Sequence, residues 1–229
     1  YRLAPDYFIM VVNASNNDKD WAWIQGLKEG EYQADADYPG TRLPGRRDFT
    51  LRDLRDPALG DERRVDIALQ GPASRDILLS LHGSPEDKAR VKALPWAGVT
   101  RANLGGYDLI VARTGYTGER VAYELFIDPD QAPALFKDLV ESGATPIGLA
   151  ARDSLRTEAG LPLYGHELAG DLNLNPADAG FGSFVKLWKP FFIGKDAFIA
   201  HERERDAVVT RFRLDSKGVR QPHPGDPIV

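Results

Sequence analysis

A pair of adjacent glycines, Gly105 and Gly106, restricts the fold of this chain more than any other feature of its sequence. The pair separates residues 99–104 (VTRANL) from residues 107–113 (YDLIVAR), two short runs that favour strands. Two-residue hairpin turns require positive φ angles, which glycine adopts without steric cost. The sequence therefore predicts an antiparallel hairpin. Hairpins that alternate with helices indicate an α+β fold with antiparallel sheets and packed helices, not a doubly wound parallel sheet.

Other segments predict further strands and helices on both sides of this hairpin. Continuous runs of aromatic and β-branched residues favour buried strands, whereas apolar residues at helical spacing favour helices. A helix is expected after Asn16, which is a suitable capping residue. The other predicted strands are residues 7–14, 65–70, 123–128 and 208–214, and the other predicted helices are 72–81, 85–94, 131–142, 148–159 and 193–205.

Composition excludes several classes of function. The 229 residues have a net charge of −5 and include no cysteine, so disulfides, thiolate metal sites and cysteine nucleophiles are absent from them. A mildly acidic chain without a Lys/Arg stripe is not expected to bind nucleic acid. No apolar run is long enough to cross a bilayer, so no membrane partner is expected. These features predict a cytoplasmic protein.

Residues 38–64 interrupt the pattern of strands and helices with a stretch rich in Pro, Gly, Arg and Asp. Loops of this length inside a compact domain tend to be functional or disordered. The arginines alternate with aspartates, and mixed charge of this kind favours a solvated surface. We expect an exposed, insertion-like loop with one short helical turn.

The sequence contains no motif for a metal or phosphate site. A Walker loop, a GxSxG elbow and a GxGxxG turn after a strand are all absent. The four histidines are far apart in the sequence, and the His166-Glu167 pair lacks the second histidine of a metalloprotease helix. No metal site is therefore predicted.

Two residues near the predicted hairpin have the chemistry to bind a flat heterocycle. Tyr116 lies between glycines in the turn TGYTGE, where its ring can either pack or offer a face for stacking. Glu124 lies inside a predicted strand and faces either outward to solvent or inward with a partner, because an unpaired buried charge is costly. An aminopyrimidine edge is a suitable partner, since it offers two N–H donors to two carboxylate oxygens.

Arg152 is the third candidate, on the predicted helix 148–159. Arg156 follows one turn later, and Asp153 is available as an ion-pair partner. The helix is either a salt-bridged structural element or one that presents Arg152 to a ligand carboxylate through its planar guanidinium.

Five segments resemble one family. They are VVNASNNDKDWAW (11–23), ALQGPASRDIL (68–78), RTGYTGE followed by YELF (113–126), GLAARDSLRTEAGLPLYGHEL (148–168) and, more weakly, NPADAGFGSFVKLWKPFFIGKDAF (175–198). Together they are similar to the glycine-cleavage T-proteins, a family of aminomethyltransferases. The similarity covers residues 7–214, with residues 38–64 as an insertion.

This resemblance implies a folate-binding fold with a ferredoxin-like part and a C-terminal β-barrel. Residues 1–205 would form the folate-binding core, and residues 206–229 would begin a truncated barrel. Members of the family take an aminomethyl group from the lipoyl arm of H-protein, release ammonia and form 5,10-methylenetetrahydrofolate. The resemblance implies tetrahydrofolate as a substrate and lipoylated H-protein of the glycine cleavage system as the partner.

By motif position, the resemblance assigns four residues to the folate site. Glu124 would bind the aminopyrimidine edge of the pterin, Arg152 would bind the aminobenzoyl-glutamate side, and Asn13 and Tyr116 would line the pterin pocket. The catalytic aspartate of the family would lie about four residues ahead of Tyr1, outside this chain. We therefore expect no catalytic residue within these 229 residues, and we expect them to be inactive alone.

One departure from the family pattern leaves alternatives open. Residues 120–123 (RVAY) place one extra residue between GYTGE and Glu124. A one-residue shift reverses which face a strand residue occupies, unless a loop or a bulge absorbs it. A related folate-dependent demethylase, the folate domain of a sarcosine or dimethylglycine dehydrogenase, and a non-catalytic folate-dependent protein of Fe–S maintenance are the alternatives.

Overall fold

The computed structural model describes residues 1–32, 49–170, 172–216, 218, 220, 223 and 225–227. The chain divides into two compact units, Tyr1–Gly165 and His166–Val229. Of the expected insertion-like loop, residues 38–48 lie outside the described residues, and residues 49–64 contain a short 3-10 segment at Pro57–Glu62. The expected start of a second domain at residue 206 stays a prediction.

Strands and helices alternate along the chain. The strands are β1 (Arg2–Ala4), β2 (Tyr7–Phe8), β3 (Val65–Gln70), β4 (Val99–Leu104), β5 (Tyr107–Ala112) and β6 (Ala122–Ile127). The helices are α1 (Asn17–Glu29), α2 (Ser74–Ser80), α3 (Pro85–Ala93), α4 (Ala132–Glu141), α5 (Leu149–Glu158) and α6 (Lys195–Glu204). The six predicted helices are confirmed, with ends that differ from the prediction by up to two residues.

A four-stranded antiparallel sheet in the order β3-β6-β5-β4 is the centre of the first unit. The predicted hairpin joins β4 to β5, and its Gly105 and Gly106 have φ angles of 66° and 85°. Strand β6 lies between β3 and β5, so its backbone is paired along both edges. The α+β fold class with antiparallel sheets and packed helices is confirmed, and the described residues form no closed barrel.

The two faces of this sheet differ. Alternate residues of the strands pack against α2, α3 and α4 to form the main core, which includes Leu78, Val91, Leu104, Leu109, Val111, Tyr123, Leu125, Ile127, Leu135 and Leu139. The opposite face holds a smaller cluster of Ile9, Ile110, Ala112 and Phe126, against which Tyr1 and Leu3 pack. Helices cover the first face, and the N-terminal segment covers part of the second face.

The predicted buried strand over residues 7–14 is wrong. Only Tyr7–Phe8 pairs as a strand, in a two-stranded sheet with β1. Ile9 is buried against the second face of the large sheet, whereas Met10 is 72% exposed and Val11 is 50% exposed. An apolar run becomes a buried strand only where a neighbouring strand pairs with it, and among the described residues the backbone pairing ends at Ile9, which exchanges hydrogen bonds with Tyr1.

The second unit contains α6 and a 3-10 turn at Gly182–Phe184. The buried carboxylate of Asp178 accepts hydrogen bonds from the Asn175 backbone at 2.7 Å and contacts Nε2 of His201, on α6, at 2.8 Å. The strand predicted over residues 208–214 is not formed. Within that segment the backbone N–H of Val209 donates to the carbonyl of Asp178 at 2.8 Å, which is a loop contact and not a ladder.

Candidate functional site

Glu124 lies in the middle of β6, on the second face of the sheet. Its residue partners are the small residues Ala68 on β3 and Ala112 on β5. The β3–β6 pairing is uninterrupted from Val65 with Ile127 to Gln70 with Ala122. The extra residue before Glu124 is therefore absorbed by the loop ahead of β6 and not by a bulge.

Tyr1 is the direct partner of this carboxylate. Its hydroxyl donates to Oε2 of Glu124, and the Thr114 hydroxyl lies 3.4 Å from the same oxygen. The Tyr1 ring contacts Phe126 edge-on, with centroids 5.6 Å apart. Burial, together with the bond to Glu124, raises the pKa of Tyr1 far above its ordinary value. Tyr1 therefore remains a neutral donor to Glu124.

Asp66 is a second carboxyl group on this face. Its residue partner is Phe126, two positions from Glu124, so the two carboxyl side chains project from neighbouring strands on the same side. Burial, followed by repulsion from Glu124, raises the pKa of Asp66 to about 7, while attraction to Arg152 acts in the opposite direction. Asp66 is nevertheless an exposed residue of β3, so solvent screening weakens both effects.

Arg152 lies on α5 with its side chain exposed. No hydrogen bond or ion pair among the described residues engages its guanidinium, yet its charge acts on Asp66. Arg156, one turn later, is 4% exposed, and its Nε donates to Asp153 at 2.7 Å. The two arginines therefore differ: Arg156 is a structural residue of the helix, and Arg152 is available to a ligand beside the two carboxyl groups.

Tyr116 lies on the loop between β5 and β6, and hydrogen bonds hold both its backbone and its side chain. Its backbone N–H donates to Oε1 of Gln70 at 3.1 Å, and its hydroxyl donates to the carbonyl of Pro162, after α5. The preceding residue must be small, because a Cβ at Gly115 would lie 2.5 Å from Cβ of Ala122. The loop therefore ties β3 and β6 to the segment that follows α5.

Asn13 is the fourth site residue that the sequence predicts. It is half-buried and precedes the 3-10 turn Ala14–Asn16, and its side chain makes no capping bond there. Within the described residues no hydrogen bond joins Asn13 to Glu124 or Arg152. Asn16, three residues later, donates its side-chain amide to the carbonyl of Tyr164 at 3.1 Å.

Of the four site residues predicted from the sequence, Glu124 and Arg152 both act on the same carboxyl group, that of Asp66. Sequence reasoning missed Tyr1 and Asp66. The alternation in VDIALQ was the available signal for Asp66, because it sets Asp66 opposite the core-facing Val65 and Ile67. No local signal identifies Tyr1, whose partner is more than a hundred positions away.

A cleft of about 440 Å³ lies beside the same loop but is lined by other residues: Trp96, Arg113, Gly115, Gly118, Glu119, Arg120 and Leu161. Glu124 and Arg152 are not among them. We assign the candidate site to the carboxyl face and not to this cleft, because that face brings together two carboxyl groups, a tyrosine hydroxyl and an arginine.

The part of the chain that the structure describes contains no cluster of His, Cys, Asp or Glu suited to a metal ion. None of its helices has the length and apolarity needed to cross a membrane.

An antiparallel sheet with one face packed against helices, and a second face with two carboxyl groups, aromatic rings and an arginine, defines an α+β domain. The profile of the GCVT N-terminal domain family matches residues 1–189. The chain belongs to this family.

Curated relatives agree with this membership. The chain is 38% identical over 230 residues to a protein of Herpetosiphon aurantiacus named aminomethyltransferase, covering 100% of this chain and 55% of the relative. It is 38% identical to proteins of the same name from Desulfitobacterium hafniense, covering 97% of this chain and 54% of the relative, and from Chlorobium chlorochromatii, covering 96% and 53%. The chain thus spans about half the length of the curated relatives it matches.

Proposed function

We propose that the protein is a tetrahydrofolate-dependent aminomethyltransferase of the glycine cleavage system. It would move a one-carbon unit from aminomethyl-lipoyl H-protein to tetrahydrofolate and release ammonia. Membership of the GCVT N-terminal domain family and relatives named aminomethyltransferase support this proposal. The observation that carries it is the convergence of Glu124 and Arg152 on Asp66, at one face of the central sheet.

Glu124 is suited to the aminopyrimidine edge of a pterin. A carboxylate accepts two parallel N–H bonds in a planar, charge-assisted arrangement. Oε2 of Glu124 accepts from Tyr1 and lies near Thr114. These neighbours hold the carboxylate in one orientation, and Ala68, which pairs with Glu124, is exposed, so a flat ring can approach from that side.

Arg152 is suited to the anionic end of the same molecule. An exposed guanidinium without an ion-pair partner among the described residues retains its capacity to bind a carboxylate in two-point geometry. The folate tail carries carboxylates, and the pterin end would lie at Glu124. We propose Tyr116 and Asn13 as further lining residues of the pterin pocket. Tyr116 is anchored by its bonds to Gln70 and Pro162.

The proposal also names the one-carbon donor. Lipoylated H-protein is the proposed partner, and the lipoyl arm would carry the aminomethyl group. The catalytic aspartate is proposed to lie outside this chain, so the isolated residues 1–229 would release no ammonia from that donor. A cytoplasmic location is part of the same proposal. Transfer of an intact methyl group from a methylamine to tetrahydrofolate, with release of the demethylated amine, would instead assign the protein to the folate-dependent demethylases.

Calorimetric titration of the full-length protein with tetrahydrofolate under argon tests the folate site. We expect Glu124→Gln to weaken binding by at least about tenfold, because one buried charge-assisted interaction contributes about 1.5–3 kcal/mol. Glu141→Gln is the matched control, since Glu141 is an exposed residue of α4 that pairs with Lys137. Equal affinity in the wild type and the Glu124 variant would contradict the assignment.

A further inference from the structure

Asp66 is a titratable group that the proposed pterin contacts do not use. It lies diagonally from Glu124 across the β3–β6 ladder, because Ala68 pairs with Glu124 and Asp66 pairs with Phe126. Side chains in this diagonal relationship are about 7–8 Å apart, within reach of a shared ligand. The family motif quoted above for this strand begins at Ala68 and does not include Asp66.

The charged and titratable groups that face Asp66 come from three elements. They are Glu124 on β6, Arg152 on α5 and Tyr1 in the N-terminal segment. Arg64, which lies two residues earlier on the same side of the chain, forms an ion pair with Asp108 at 2.9 Å. Among these groups, Arg152 is the cation that acts on Asp66.

We propose that Asp66 is a second ligand-positioning residue of the folate site, which attracts Arg152 while the site is empty and takes up a proton when an anionic folate engages that arginine. This inference rests on the proposed function. The step is an acid–base reaction only: the Asp66 carboxylate binds one proton from solvent, and no covalent or redox change accompanies it.

The direction of the effect follows from the charges. Attraction to Arg152, followed by a backbone hydrogen bond from Leu125, opposes the rise in the pKa of Asp66. When the carboxylates of a ligand bind Arg152, Asp66 loses part of that attraction and gains negative neighbours, so its pKa rises further. Protonated Asp66 then predominates in the complex. Because the empty site titrates near neutrality, binding takes up a proton there, and affinity falls as pH rises.

The test compares tetrahydrofolate affinity of the full-length protein under argon at about pH 6 and about pH 8, on either side of the Asp66 pKa. We expect the wild-type dissociation constant to increase about tenfold between these values, and that of Asp66→Asn to change less than about twofold. Asp108→Asn is the matched control on the same face, and we expect it to follow the wild type. Titrations near pH 7 in phosphate and in Tris measure proton uptake directly, since the two buffers have different ionisation enthalpies.

A second probe isolates the role of Arg152. The compound 6-methyltetrahydropterin has the pterin ring without the benzoyl-glutamate tail, so we expect it to bind without proton uptake. A pH profile that is the same in the wild type and in Asp66→Asn overturns this inference and leaves the proposed function standing. Failure of the wild type to bind tetrahydrofolate at any pH overturns both.

Discussion

Asp66 and Glu124 project from neighbouring antiparallel strands on one side of the sheet, two positions apart along the ladder. Their closeness raises the pKa of Asp66, after the larger effect of burial. Glu124 has a tyrosine hydroxyl as its donor, whereas Asp66 has mainly the attraction of Arg152. The relationship creates one carboxylate with a fixed donor and another whose charge depends on pH.

Asp66→Asn should stabilise the fold at alkaline pH. The pKa of Asp66 in the folded state, about 7, lies above the ordinary value of an aspartate, so the folded state binds the proton more tightly than the unfolded state. Stability contributed by this group therefore decreases as pH rises from about 4 to about 7 and stays low above that range. We expect the variant to have the higher Tm at pH 8 and a smaller advantage at pH 5, measured by thermal denaturation. A Tm difference of the same size at both pH values would contradict a raised pKa for Asp66.

Tyr1→Phe should weaken the first unit without disturbing its core. The variant keeps the ring that contacts Phe126 and removes the hydroxyl that donates to Glu124. Loss of a hydrogen bond to a charged acceptor lowers the free energy of unfolding by about 1.5–3 kcal/mol, less where water replaces the donor. Urea denaturation measures this value. Tyr7→Phe is the control, because Tyr7 is an exposed residue of β2, and an equal loss in both variants would exclude a specific role for Tyr1.

Arg152→Met and Arg156→Met should have opposite effects on binding and stability. Arg156 is buried, with Nε at 2.7 Å from Asp153, so its removal should cost about 2 kcal/mol of stability. Arg152 is exposed and should be nearly neutral in stability but should weaken tetrahydrofolate binding about tenfold. Chemical denaturation and calorimetry on the same two variants separate these effects. Unchanged affinity in a folded Arg152 variant would contradict the proposed tail contact.

Gly115→Ala should displace the loop that carries Tyr116. The new Cβ would lie 2.5 Å from Cβ of Ala122 and 2.8 Å from the Gln70 side chain, distances that require the loop to move. Overpacking of this kind costs about 1–3 kcal/mol. Gly148→Ala is the matched control, because nothing lies within 4 Å of a Cβ there and its φ is −90°. A lower Tm for the Gly115 variant alone is the expected result.

His201→Ala should destabilise the second unit by removing a partner of a buried carboxylate. Asp178 is 1% exposed in its side chain, its Oδ2 lies 2.8 Å from Nε2 of His201, and its Oδ1 has no hydrogen-bond partner in the structure. A buried charge that loses a donor costs about 1–3 kcal/mol. Differential scanning calorimetry measures the change, with the exposed His82→Ala as the control. Equal stability of both variants would show that the Asp178 contact contributes little.

Local sequence signals predicted most elements of the first unit. The Gly105–Gly106 turn and the strand-forming runs at residues 65–70 and 123–128 act within a few residues, so pattern alone identifies them. The strand predicted over residues 7–14 failed for the opposite reason. Its composition favours a strand, but pairing depends on a neighbouring segment, and among the described residues that pairing ends at Ile9.

For the candidate site, the sequence alone determined which residue types carry the chemistry: an acidic residue in a strand, an arginine on a helix and a tyrosine between glycines. It also determined that Asp66 and Ala68 share one face of β3, since strand periodicity is a local property. Only the tertiary structure decided that this face also receives Glu124, that Tyr1 bonds to it, and that Arg152 and not Arg156 remains available. The physical reason is that periodicity defines the two faces of an element, whereas the packing of distant segments decides what each face meets.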